Sequence, residues 1–232
     1  MYPKRKFGVS LVIKMKQTVL FIYLLSFSLN LNAQKIDPDD SFTFELCLPN
    51  SFANKPYKTI MQGLVSASPY YQYSVKSGIS FGLGLHYTYF AINEFRMPVK
   101  VFGGIHTGAA FLKLGHEKFW TERFGTDIGC KFGYLQSYAV SDLLRSKGML
   151  FRKTEALYIE PTIGFVLSAD VNCSYRLTIG YPFYGYSFSP STIGYDSSLG
   201  YDEKEFIKTC SFLNVGFAYT FYFNGKKSIA ED

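Results

Sequence analysis

Chemistry in this 232-residue chain would have to come from four cysteines, three histidines and a modest set of charged side chains. Cys47, Cys130, Cys173 and Cys210 lack the close Cys-x-x-Cys spacing that holds a structural metal. Cys47 and Cys210 could pair as a disulfide or stay as small buried thiols. His86 and His106 could meet across adjacent strands if paired residue numbers summed to 192. A sum of 190 would instead set each against a glycine, which packs better and predicts an interior, hydrogen-bonded histidine rather than a metal ligand. Gly82 and Gly84 form a Gly-x-Gly with no helix after it, so the phosphate-loop reading fails. A lipid-modifying enzyme would need a nucleophile, a base and an oxyanion site, and His86-Tyr87-Thr88 is the nearest approach to one. We expect no catalytic, cofactor-binding or metal-binding set.

The elements that must position these residues begin after a leader. Val19 to Leu29 reads VLFIYLLSFSL, preceded by Lys14 and Lys16 and followed by Asn32-Ala33-Gln34. Basic flank, short apolar run and small residue before the cut predict a signal peptide over residues 1–33, with Met15 a possible true start. A membrane helix needs about 20 apolar residues, and Lys14 and Lys16 interrupt any longer run. Five of the 24 basic residues precede residue 34 and none of the 18 acidic ones does. The formal charge of +6 is thus mostly targeting signal, and no nucleic-acid partner follows from it.

Residues 34–232 alternate at period two, with turn residues between the runs. Ile79, Phe81, Leu83, Leu85, Tyr87 and Tyr89 lie on one face; Ser80, Gly82, Gly84, His86 and Thr88 lie on the other. The pattern recurs around residues 123–134, 157–168, 174–183 and 213–223, and more weakly over 41–48, 64–75 and 99–113. A soluble sandwich would show water a face rich in Lys and Glu. Here the polar face is mostly Gly, Ser and Thr with single charges, which suits a narrow, side-chain-filled lumen. The predicted fold is all-β: a transmembrane, antiparallel, up-and-down β-barrel of about eight strands. A soluble secreted β-barrel remains the alternative.

Register sums follow from volume matching. For the fourth and fifth strands a sum of 235 places Phe102, Gly104, His106, Gly108 and Ala110 inward, against Gly133, Lys131, Gly129, Asp127 and Gly125. For the sixth and seventh a sum of 340 sets Glu160 on Gly180 and Gly164 on Arg176. Glu45, Asp127 and Glu160 then share the interior with Lys100, Arg123, Lys131 and Arg176, predicting an ion-paired plug rather than an open pore.

Turns at Lys76-Ser77-Gly78, Leu114 to Trp120 and Ala169-Asp170 would face the periplasm. Longer loops at Pro49 to Lys58, Asn93 to Met97, Ser141 to Lys153 and Ser187 to Lys208 would face outward. Tyr134, Tyr138, Tyr181, Phe183 and Tyr186 predict the outer aromatic girdle; Tyr219, Phe221 and Phe223 predict the inner one.

The Asn32-Ala33-Gln34 region, the Gly/aromatic strands and the closing Phe217-Ala218-Tyr219-Thr220-Phe221-Tyr222-Phe223 resemble the outer-membrane β-barrel domain proteins of Bacteroidetes-type bacteria. The resemblance covers nearly all of the chain after the leader and implies a place in the cell outer membrane. It also implies assembly by the outer-membrane insertion machinery, which reads a terminal aromatic; here nine residues follow Phe223. The expected partners are outer-membrane lipid and that machinery, with no nucleic acid, and the barrel is expected to be a monomer. Function would be structural or a surface interaction through outer loops, foremost residues 187–208 with Tyr195, Asp196, Tyr201, Asp202, Glu203 and Glu205. A lipid-modifying enzyme and a narrow channel are the alternatives.

Overall fold

Strict alternation leaves a strand with two unlike faces, and a closed sheet is the arrangement that sends all of one kind inward. The computed structural model describes residues 36–37, 39–224 and 227–228. The leader, its cleavage region and the possible start at Met15 lie outside the described residues. Eight antiparallel strands follow one another around a barrel: β1 Ser41–Ser51, β2 Met61–Ser74, β3 Ile79–Ile92, β4 Gly103–Phe119, β5 Phe124–Ser141, β6 Arg152–Ser168, β7 and β8 Thr209–Tyr222. β7 is Cys173–Gly180 continued by Phe183–Ser187. β8 closes on β1 through an unbroken ladder from Phe212↔Ser51 to Tyr222↔Ser41. Ile36–Asp37 and Lys227–Ser228 pair in a separate two-stranded sheet.

The gap in β7 falls at Tyr181-Pro182. Pro182 has no N–H to give to a ladder, yet its carbonyl still accepts from the Phe212 N–H at 3.2 Å. Residue numbers paired with β6 sum to the same value below and above the gap, as in Thr162↔Gly180 and Tyr158↔Tyr184. β7 is one strand with a missing rung.

Polarity is reversed from that of a soluble barrel. Leu48, Leu83, Leu157 and Phe217 are between 63% and 71% exposed on the outside. Ser41, Thr43, Glu45, Ser68, Lys131 and Arg176 are buried within. Strands of 11 to 18 residues exceed the roughly 9–11 a tilted crossing requires, so they project beyond a bilayer. Among the described residues, no helix is long and apolar enough to span one.

Four longer connections share one end, the end that faces outward in barrels of this type: L1 (52–60), L2 (93–102), L3 (142–151) and L4 (188–208). L1 holds helix α1, Lys55–Ile60, and L3 holds α2, Asp142–Ser146. L4 holds the 3-10 turn Pro190–Ile193 and a short helix α3, Glu203–Phe206. Three tighter turns share the other end. The second of these corrects the sequence expectation: β4 runs on to Phe119, and the turn is 120–123 rather than Leu114 to Trp120. Tyr186, expected in the outer girdle, points into the lumen and is 9% exposed.

Candidate functional site

The lumen is filled in two tiers. In the periplasmic half, Arg176 on β7 reaches two carboxylates, Asp127 on β5 at 2.5 Å and Glu117 on β4 at 3.0 Å. Lys113 on β4 completes this group, donating to Asp127 at 2.6 Å, to the Gln72 amide oxygen at 2.9 Å and to the Tyr70 hydroxyl at 3.2 Å. Tyr222 on β8 donates to Glu117 at 2.6 Å. A second group centres on Lys131 of β5, 2.5 Å from Glu45 on β1 and 3.3 Å from Glu160 on β6. Glu160 also accepts from the Asn214 amide at 3.0 Å and from the Tyr158 hydroxyl. The Tyr70 ring joins the groups, with Lys113 and Lys131 lying 4.7 and 5.7 Å from its centroid.

An unpaired charge in such a space costs several kcal/mol, so each ion here needs its partner across the barrel. Seven ionised groups from five strands tie the wall together from inside.

Five of the seven sequence-predicted interior charges are in this network: Glu45, Asp127, Glu160, Lys131 and Arg176. Lys100 and Arg123 are exposed, in L2 and in a periplasmic turn. Both precede the strands that would carry them inward, and the register differs as well. β4 and β5 pair with numbers summing to 244, as in Lys113↔Lys131, not 235. The odd residues of β4 therefore face inward, which exposes Phe102 and His106 and buries Phe111, Lys113 and Glu117. The β6–β7 sum is 342, not 340. That two-residue slip keeps the facing: Glu160 still covers Gly180, where an added Cβ would sit 2.3 Å from Glu160 Oε1.

The histidines part company. β3 and β4 pair with a sum of 195, so His86 opposes Ala109 and neither expected sum holds. His86 is interior, with Nδ1 2.8 Å from Ser68 Oγ and Nε2 2.6 Å from Thr88 Oγ1 and 3.0 Å from the Tyr184 hydroxyl. His106 is on the lipid-facing surface, 2.8 Å from the Tyr87 hydroxyl. The side chains of His86 and Thr88 are thus buried, 2% and 1% exposed. The cysteine bridge also fails: Cys47 opposes Gly216, and Cys210 lies six residues further along β8, about 20 Å of strand. Both are free and buried.

The extracellular half closes with aromatic rings. Asn54 caps α1 by accepting from the Tyr57 N–H at 2.9 Å. Its amide donates to the carbonyls of Phe188 and Lys208 at 3.2 and 2.8 Å, pinning L1 to both ends of L4. The fastened helix drives Tyr57 and Ile60 into the mouth, both fully buried. Tyr57 meets Phe90 and Phe188 edge-on at 4.9 and 5.1 Å. Burial pushes the Tyr57 phenol well above its ordinary range. L4 is anchored from the end of β5 by Ser141 Oγ donating to the Ile193 carbonyl at 2.6 Å and from β6 by Arg152 donating to that of Ser191 at 2.7 Å. Tyr195 and Tyr201 pack on this plug. Asp196 pairs with Lys147 at 2.6 Å and Glu205 with Lys55 at 3.0 Å, while Asp202 and Glu203 stay exposed.

Sequence reasoning missed Gln72, Tyr70, Lys113 and Glu117. The signal was present: Lys113 sits between Leu112 and Leu114, whose outward position fixes the parity of β4.

No protein-family model matches the chain, and no curated protein matches it in sequence. The fold does have likenesses among solved structures. Neisserial surface protein A, at 7% identity, covers 79% of this chain and 97% of its own, with a TM-score of 0.53. OprG of Pseudomonas aeruginosa (10%, covering 83% and 100%) and Ail of Yersinia pestis (11%, covering 80% and 99%) reach 0.49 and 0.44. At these identities the likeness concerns the fold alone, and the first is the one that carries it. The chain has the closed eight-stranded architecture of outer-membrane β-barrels.

Proposed function

We propose that this chain is a sealed outer-membrane barrel, with a function carried by its extracellular loops and not by its lumen. The observation behind this reading is the double closure: a seven-charge network from β1 to β7 below and an aromatic plug pinned by Asn54 above. Among the described residues both tiers are filled by side chains, which argues against an open channel, and His86 and Thr88 are only 2% and 1% exposed, which argues against their acting on lipid. The Gly/aromatic strands support placing it with the Bacteroidetes-type barrels. Loops on a rigid scaffold are where binding residues gather, and the surface offered is the exposed acidic edge of L4 beside L1 and L3.

Planar-bilayer recording of the refolded protein tests the seal, with baseline current expected. A large, steady conductance would overturn it. Replacing residues 188–208 with a short turn tests the loop: the barrel should still insert, and binding to intact cells or surfaces should be lost. Unchanged binding would remove L4 from the proposal.

A further inference from the structure

One feature of the outer face is not required by a uniform lipid belt. A groove of about 690 Å³ crosses the β1–β5 side, with Ala67, Gly108 and Ala110 in its floor and Tyr87, Tyr134 and Tyr138 in its walls. A Cβ added at Gly108 would meet nothing within 4 Å, so the space opens to the bilayer and is not filled by neighbouring side chains.

Polar groups gather at the groove's extracellular end. His106 stacks on Tyr89 at 4.6 Å, next to Tyr138 in the register. Across β6, Lys153 aligns with Tyr138 and Glu155 with Gln136. Ionisable side chains facing lipid are costly in hydrocarbon and are tolerated where headgroups begin. Above them Phe151 packs edge-on to Tyr138 at 5.5 Å, carrying the apolar wall upward.

The loops over this side complete the asymmetry. Residues 93–102 and 142–153 hold six basic side chains against Glu94 and Asp142 within those ranges; Lys147 and Lys153 are paired with Asp196 and Glu155 at 2.6 and 2.5 Å, which leaves Lys100 and Arg145 among the others to face an anion. L4, by contrast, is acidic.

We propose that this face holds one phosphate-bearing lipid of the outer leaflet. An acyl chain fills the groove, and the phosphate sits among the basic side chains of L2 and L3. The proposal rests on the membrane reading above. It draws on charge complementarity and on the continuity of the groove with the lipid-facing surface.

The test uses the full mature chain in vesicles of phosphatidylcholine doped with phosphatidylglycerol, with retained lipid read by native mass spectrometry. The wild type should keep one phosphatidylglycerol in preference to phosphatidylcholine. Gly108→Leu fills the groove from an open position and should lower retention about tenfold, equivalent to about 1.4 kcal/mol. Ala110→Phe, from the next outward position on the strand, should do the same if the first variant folds poorly, and heat-shifted gel mobility checks folding. Lys100→Glu combined with Arg145→Glu should abolish the preference for phosphatidylglycerol. Retention unchanged in both groove variants, or no headgroup preference in the wild type, would overturn the site. A protein that never enters vesicles would instead overturn the membrane reading.

Discussion

Below the middle of the barrel the lumen is closed by charges carried on strands; above it, largely by rings, several of them delivered by loops. Glu45, Lys113, Glu117, Asp127, Lys131, Glu160 and Arg176 all come from β1 and β4 to β7, so none can leave without parting the wall. Tyr57 and Phe188 come from L1 and L4 and are held by one asparagine side chain and a few carbonyls. The lower tier is therefore coupled to global unfolding. The upper tier can open locally at lower free energy.

The sharpest break of this comparison is Arg176→Leu. It leaves Glu117 without a cation and Asp127 with Lys113 alone, and losing one partner of a buried pair costs about 3–5 kcal/mol. The urea midpoint of the folded, heat-shifted gel band should fall by that amount, or refolding should fail. Gly180→Ala follows. Its new Cβ meets Glu160 within a filled lumen, and overpacking of this kind costs about 1–3 kcal/mol by the same assay. Tyr57→Ala should separate the tiers: a global midpoint shifted by less than about 1 kcal/mol, since loss in a locally opening region stays local, with faster tryptic cleavage at Lys58. A shift as large as that of Arg176→Leu would show the tiers to be one unit.

The smallest effect belongs to the exposed tie between α1 and L4. The Glu205 carboxylate hydrogen-bonds the Lys55 ammonium and raises its pKa above the ordinary lysine value. A raised folded pKa means the tie is present below the unfolded value and is lost as pH rises through the folded one. Cleavage of L1 should thus quicken only in strongly alkaline solution. Lys55→Gln should remove that pH step and leave barrel stability unchanged.

Much of this fold could be read from period two alone. On β3 and on β5 to β8 the greasy and small faces are clean, so the strand count, the facing of Asp127, Glu160 and Arg176, and the sites of the long loops all emerge. β4 misled, for a physical reason. Its outward His106, Gly108 and Ala110 are small or polar because they form the groove and its rim, and so they imitate a lumenal face. The register there was misjudged where the barrel's exterior departs from a plain lipid belt, as expected when local rules fail at specialised sites. The plug was illegible for another reason. Asn54 acts on L4 across more than 130 residues of sequence, and no periodicity reports a loop folding inward.

The alternation that gives the barrel its two faces also governs the chain's journey before folding. Every greasy residue of β3 from Ile79 to Leu85 is followed by Ser or Gly, or by His86. No strand therefore offers the long unbroken apolar run that would hold it in the first membrane it meets as a spanning helix. A chain whose oiliness is spread thinly in this way can travel through water and becomes hydrophobic on one side only once its neighbours have paired.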